Sequence, residues 1–302
     1  MTKRDYTTIL GFLGLLAAVF AAFPAAADLT PAEEAGLDLG INTNYAFVDL
    51  GATTLGWNSG PIAGSVLFGN GLTANLSGGN NGGLTNGGIL FHDSTVTISG
   101  SLQNPVTEQL VPTSTTQTAL TDAQNVSNFA SSLSPTQTFT TINNTQTITS
   151  TGNLNVIDVG SIQNAKLTLS GSANDFFVFN VSGSINTNQP MTLSGGVLPS
   201  HILFNLTGTS GNIFQTSGGD VLFGTFLATR GGQFQFSQLN LNGQLINTDG
   251  NVQFVSGSQI PTSSPFISVP EPSTFELLGV GVMAVACAVV ASRRRGTRGA
   301  SC

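Results

Sequence analysis

His92, Asp93 and Ser94 follow one another in the sequence, and these are the side-chain types of a hydrolytic triad. A triad needs its members to converge in space, whereas adjacent residues of a strand point to opposite faces. No Gly-x-Ser-x-Gly elbow in a strand–turn–helix setting accompanies them. His92 therefore reads as a surface histidine at a strand end. His201, which precedes an apolar run, reads as exposed or lightly packed. Asp158, Asp175, Asp220 and Asp249 offer carboxyl groups for glycoside hydrolysis, but each stands near a turn and no pair stands out. The two cysteines, Cys287 and Cys302, lie at the far C-terminus, so a zinc site in the preceding domain is not expected. The run from Gly78 to Gly83 lacks both the aspartates of calcium-binding β-roll repeats and the Lys-Ser/Thr ending of a phosphate loop. The residues point to a non-enzymatic chain with no cofactor, no metal and no catalytic group.

What remains for binding is hydroxyl and amide chemistry. Thr138 and Thr140, then Thr147 and Thr149, alternate along two short runs. They are the candidate binding face, although threonine is also simply a good strand former. Charged residues make up only 8% of the chain. Between Asp28 and Ser268 there are twelve acidic residues and two basic ones, Lys166 and Arg230, for a net charge near −10. Such a surface gains nothing from counterion release, which excludes nucleic acid as a partner.

The elements that would carry these groups are mostly strands. Short alternating runs recur between Gly, Asn and Ser, such as Val66–Phe68, Thr95–Ile98, Leu167–Leu169, Phe176–Phe179 and Ile202–Phe204. Val221–Phe223, Phe234–Phe236, Leu239–Leu241 and Val252–Phe254 continue the pattern. Their spacing suits a sandwich, a barrel or a β-solenoid. Abundant turn Gly and Asn, sparse charge and plentiful stackable Asn, Thr and Ser favour the solenoid. One segment breaks the rhythm. Leu120, Ala123, Val126, Phe129, Ala130 and Leu133 are spaced for one face of a helix over 119–133, started by Thr121 or Asp122 and closed by Pro135.

Both termini carry export patterns. Lys3 and Arg4 precede an apolar run and the small residues Ala25, Ala26 and Ala27, as in a cleavable signal peptide over 1–27. Near the other end, Val269, Pro270, Glu271 and Pro272 precede an apolar stretch over about 275–292, and Arg293, Arg294 and Arg295 follow as a stop-transfer cluster. This order resembles the PEP-CTERM sorting signal, here spanning 269–298. The resemblance implies cleavage by an exosortase, after signal peptidase has acted at the N-terminus. It also implies a Gram-negative, exopolysaccharide-producing host, with the chain held in the inner membrane by its C-terminal helix before release to the surface.

Between the signals, a lead-in over 28–38, a main domain over 39–260 and a linker over 261–268 are expected. Leu39-Gly40, Asn44–Val48, Asn174–Gly183, His201–Asn205, Gly224–Ala228 and Asn242–Ile246 resemble, in their order, the choice-of-anchor A domains, which group with ice-binding-like adhesive domains. The likeness implies a mainly β protein, an irregular β-solenoid with one α-helix alongside. One departure is that Ala228 is followed by Thr229-Arg230-Gly231-Gly232, where the family often has Ala-Pro-Asn. The functional expectation is a surface or biofilm-matrix adhesin whose rigid face binds an extracellular partner such as exopolysaccharide. An ice-binding protein and a β-helix carbohydrate-active enzyme are the alternatives.

Overall fold

The computed structural model describes residues 29–267, apart from 78–81, 105, 220 and 256. The described residues 29–267 belong to one compact unit. Ala25, Ala27, the Val269–Pro272 motif, the 275–292 stretch, Arg293, Arg294 and Arg295 lie outside the described residues, as does Asp220. Among the described residues no helix is long and apolar enough to cross a membrane.

The alternating runs form short, mutually parallel strands that stack into a three-faced solenoid. Each coil turns through the three faces and pairs with its neighbours at a spacing of about 4.8 Å. The stacking order departs from the sequence order. The first strand, Phe47–Asp49, sits in the middle of the stack, between Val66–Phe68 and the second half of Asn240–Asn247. From there the chain winds outward to Thr107–Leu110 at one end. It then crosses to Gln137–Ile142 at the other end and winds back until its last coils dock on its first. The middle of the solenoid is thus closed by pairings of residues almost 200 positions apart, such as Phe47 with Leu245 and Leu55 with Val252.

The crossing is made by the helix Thr113–Ser132, about 30 Å long at 1.5 Å per residue. It begins earlier than the periodicity of 119–133 suggests, directly after Pro112. The first buried position is Thr116, whose hydroxyl bonds Asp93 Oδ2 at 2.6 Å, and a polar buried residue does not register as part of an apolar stripe. Thr121 and Asp122 are not caps. The Thr121 hydroxyl donates to the Gln117 carbonyl, and Asp122 accepts from the Ile41 N–H. Leu133 is the C-cap, with Pro135 just beyond.

The helix covers one face of the solenoid, so the strands there are buried on both sides and read as continuous apolar runs, as in Phe176–Phe179. Ala119, Ala123, Val126 and Ala130 pack on Val48, Leu67, Val178, Leu203, Leu227 and Ile246. Toward its C-terminus the contact becomes polar. Asn205 Nδ2 donates to the Ser127 carbonyl at 3.0 Å and the Ser127 hydroxyl donates to Asn205 Oδ1 at 2.7 Å, while Asn180 Nδ2 donates to the Ala130 carbonyl at 2.8 Å. These buried polar groups are thereby paired, as such burial requires.

Inside the coils lies a single core. Phe179, Phe204 and Phe226 stack at centroid separations of 4.5 Å each, because parallel in-register strands set identical side chains one strand spacing apart. Phe214, from another face of the coils, stacks on Phe226 at 4.3 Å across the core. Trp57 is fully buried, with its indole N–H bonded to the Gly60 carbonyl. The lead-in carries a short helix, Pro31–Gly36, with a Thr30/Glu33 capping box, and Leu29 and Leu37 join the apolar layer under the long helix. The segment expected as a linker is also packed: a strand runs to Ser263, and Phe266 is buried against Phe176.

Candidate functional site: the open face

The helix leaves a second face uncovered. Across this open face run, in spatial order, Thr97–Ser101, Thr73–Ser77, Thr54–Trp57, Val252–Val255, Gln233–Ser237, Asn212–Ser217 and Ile185–Thr187. None of these strands contains a charged residue. Alternation is clean where one side meets the core and the other meets water: in Thr73–Ser77, Ala74 and Leu76 are buried and Thr73, Asn75 and Ser77 exposed.

The outward side chains divide the face in two. At one end Thr54, Thr73 and Thr97 stand in register, all exposed. Beside them Asn75 pairs with Ser99 and Ser77 with Ser101. This half is a compact array of short hydroxyl and amide groups. The other half carries longer amides in register: Gln253 beside Gln235, Gln235 beside Gln215, Gln215 beside Asn186. Gly56 stands between the halves, in register with Asn75 on one side and Gln253 on the other. Lacking a side chain there, it opens a trough of about 530 Å³.

The threonines singled out by alternation are distributed differently. Thr138 and Thr140 are exposed on the terminal strand of the helix-covered sheet, beyond the helix end. Thr147 and Thr149 are exposed on the terminal strand of a separate three-stranded sheet. The four therefore stand on two faces rather than one. Thr147 does begin a real ladder with Thr168 and Thr192, and Thr149 one with Ser170 and Ser194. Thr54, Thr73 and Thr97 are separated by unequal sequence intervals, so no fixed period marks them. The available sign is that each opens an alternating run.

Among the described residues the acidic and histidine side chains form no catalytic arrangement. Burial alone would raise the Asp93 carboxyl, but hydrogen bonds from Thr116, Thr95 and the Asn70 N–H hold it below the ordinary carboxylate range. It anchors the helix start, while His92 Nδ1 lies against the Asp93 backbone carbonyl and not its carboxylate. His201 is buried, contrary to the exposed or lightly packed setting expected. Its ring stacks on Phe176 at 4.0 Å, and burial lowers its pKa. Asp158 accepts from Asn180 at the helix interface, whereas Asp175 closes a turn through the Ser172 N–H. Among the described residues no group of three or more His, Cys, Asp or Glu gathers as metal ligands.

No protein-family model matches the sequence, and no curated protein does. Solved structures do match. An ice-binding protein from the Antarctic ascomycete Antarctomyces psychrotrophicus superposes with a TM-score of 0.52 at 16% identity, covering 78% of this chain and 100% of that one. An ice-binding protein from an Arctic yeast, described with antifreeze activity, gives 0.52 at 20% identity, covering 80% and 98%. A domain of ice-binding protein 1 from Shewanella frigidimarina gives 0.54 at 18% identity, covering 76% and 98%. At these identities the likeness concerns the fold. The chain is a mainly β, parallel-stranded solenoid with few helices, and this is the fold of ice-binding proteins from fungi and bacteria.

Proposed function

We propose that this chain is an exported ice-binding protein, and that it acts through the short-side-chain half of the open face. The observation that carries the reading is the in-register, exposed set Thr54, Thr73 and Thr97, flanked by Asn75, Ser99, Ser77 and Ser101, on a fold shared with ice-binding proteins. Strand spacing fixes the hydroxyls about 4.8 Å apart along the stack, and the stacked core beneath keeps the array rigid. Each contact with a water lattice is weak, but many made at once by one rigid face add up. A face without charge does not impose its own tight hydration shell on that lattice. Recrystallisation of a frozen sucrose solution is the direct assay. The purified chain is expected to keep ice grains small, whereas grain growth at the rate of a protein-free control would sink the reading.

Adhesion to an extracellular partner is the second reading, favoured by the amide-rich half of the same face. A catalytic role finds no support in the side-chain arrangement of the described residues.

Export and sorting complete the proposal. Ala25 and Ala27 would be read by signal peptidase, Val269–Pro272 by an exosortase, and Arg293, Arg294 and Arg295 would stop transfer at the cytoplasmic side. Mass spectrometry of the mature protein from a producing cell is expected to find a start near Asp28 and an end near Pro270. A C-terminus still at Cys302 would argue for a permanent anchor.

A further inference from the structure

We infer that the trough at Gly56 is a binding site for a strand of neutral polysaccharide, bordering the hydroxyl array proposed to meet ice and sharing Thr54 and Asn75 with it. The trough lies where the first and last coils of the chain meet, between Thr54–Trp57 and Val252–Val255. Its volume of about 530 Å³ falls within the ~300–1,000 Å³ of ordinary small-ligand sites. No lining residue is charged, so nothing there offsets the desolvation of an ionic ligand. The wall groups are amides and a hydroxyl, which an apolar ligand would leave unpaired. A ligand that is uncharged and both donates and accepts at close intervals meets these conditions, and neutral sugar rings are such ligands.

The hydrogen bonds sharpen the assignment. Asn251 Oδ1 is held by the Thr54 N–H at 3.0 Å, Asn58 Oδ1 by the Ser77 hydroxyl at 2.7 Å and Asn75 Oδ1 by the Ser99 hydroxyl at 2.6 Å. Three amides are thereby fixed with their NH₂ groups left for a ligand. On the facing side Asn212 Nδ2 is spent on Gln235 Oε1 at 2.8 Å, leaving the Asn212 side-chain oxygen to accept. Fixed donors opposite a fixed acceptor are preorganised for hydroxyls, which lowers the ordering cost of binding.

Gly56 also provides the test. Its φ is not in the left-handed region, and an added Cβ would meet only Gln253 Cγ, at an ordinary 3.6 Å. Gly56→Gln therefore continues the amide ladder and fills the trough without strain. The experiment is affinity electrophoresis of the full chain through gels containing dextran, a soluble linear β-glucan or alginate. Wild type is expected to be retarded saturably by at least one neutral polysaccharide, equally at about 0.05 M and about 0.5 M salt. Gly56→Gln, with an unchanged thermal midpoint, is expected to lose at least about tenfold in affinity. Should that variant unfold, Gln253→Ala, a change on the exposed side of the same trough, is expected to weaken retardation instead. Thr73→Lys, aimed at a part of the ice array outside the trough lining, is expected to bind the polysaccharide as wild type does, which separates the two binding activities. No retardation by either neutral polymer, a Gly56→Gln protein that binds like wild type, or binding only to alginate that salt abolishes would each overturn the site.

Discussion

Replacing Asp49 with asparagine is expected to stabilise the protein at pH 8 and to leave it unchanged at pH 4. Asp49 is fully buried where the first coil docks on the last, in register with Asn247. Burial pushes its carboxyl up to about 8, against the opposing bonds from Asn247 Nδ2, at 2.8 Å, and the Gly51 N–H. Its Oδ2 has no partner among the described residues. At neutral pH the folded state therefore keeps the proton while the unfolded chain, titrating near 3.9, gives it up. The unfolded state binds fewer protons, so stability falls as pH rises. The contribution is intact below about pH 3.9, declines through the interval and is gone above about pH 8. About four pH units at ~1.4 kcal/mol each set a ceiling of about 6 kcal/mol. The asparagine side chain would keep the same oxygen for Asn247 and Gly51 and carry no charge at any pH. Urea unfolding of both proteins from pH 4 to pH 8 checks this, since other groups, Asp93 with its depressed pKa among them, cancel in the difference. A variant less stable than wild type at pH 8 would mean that the ionised carboxylate is what the site requires.

Phe204→Ala is expected to cost about 4 kcal/mol, in the range for emptying a buried phenylalanine site. Phe204 sits between Phe179 and Phe226, each 4.5 Å away and nearly parallel to it, so the change leaves a cavity and breaks two stacks at once. Parallel strands are poorly placed to close such a gap, because their spacing is held by backbone bonds on both sides. Phe204→Leu is expected to cost less than half as much. Thermal and urea unfolding measure both. A loss under about 1 kcal/mol for the alanine variant would show that the coils collapse into the space.

These two sites mark what the sequence makes legible and what it hides. Phe176–Phe179 and Ile202–Phe204 are readable as strands because they alternate or run apolar between turn residues, and parallel stacking follows from their repetition. The helix is readable from Ala123, Val126 and Ala130, but not its first turns, because Thr116 is buried for a hydrogen bond. The discontinuous winding has no local signature. Nothing near Asp49 announces that Asn247 will lie beside it, since that pairing forms only when the final coils close the stack. The same applies to the open face. Thr54, Thr73 and Thr97 become neighbours through coil lengths that differ, whereas Thr138, Thr140, Thr147 and Thr149 attract attention as a local pattern and are set on two faces by the turn between them. Gly56 carries no local sign that its neighbours will be Asn75 and Gln253.

Thermal hysteresis of ice in solutions of wild type, Thr73→Lys and Thr147→Lys decides whether the hydroxyl array of the open face is what meets ice. Thr73 is central in that array, and Thr147 is equally exposed on another face. A freezing-point gap is expected for wild type and for Thr147→Lys, with most of it lost in Thr73→Lys. Equal hysteresis in all three, or loss in Thr147→Lys alone, would overturn the assignment of the open face to ice.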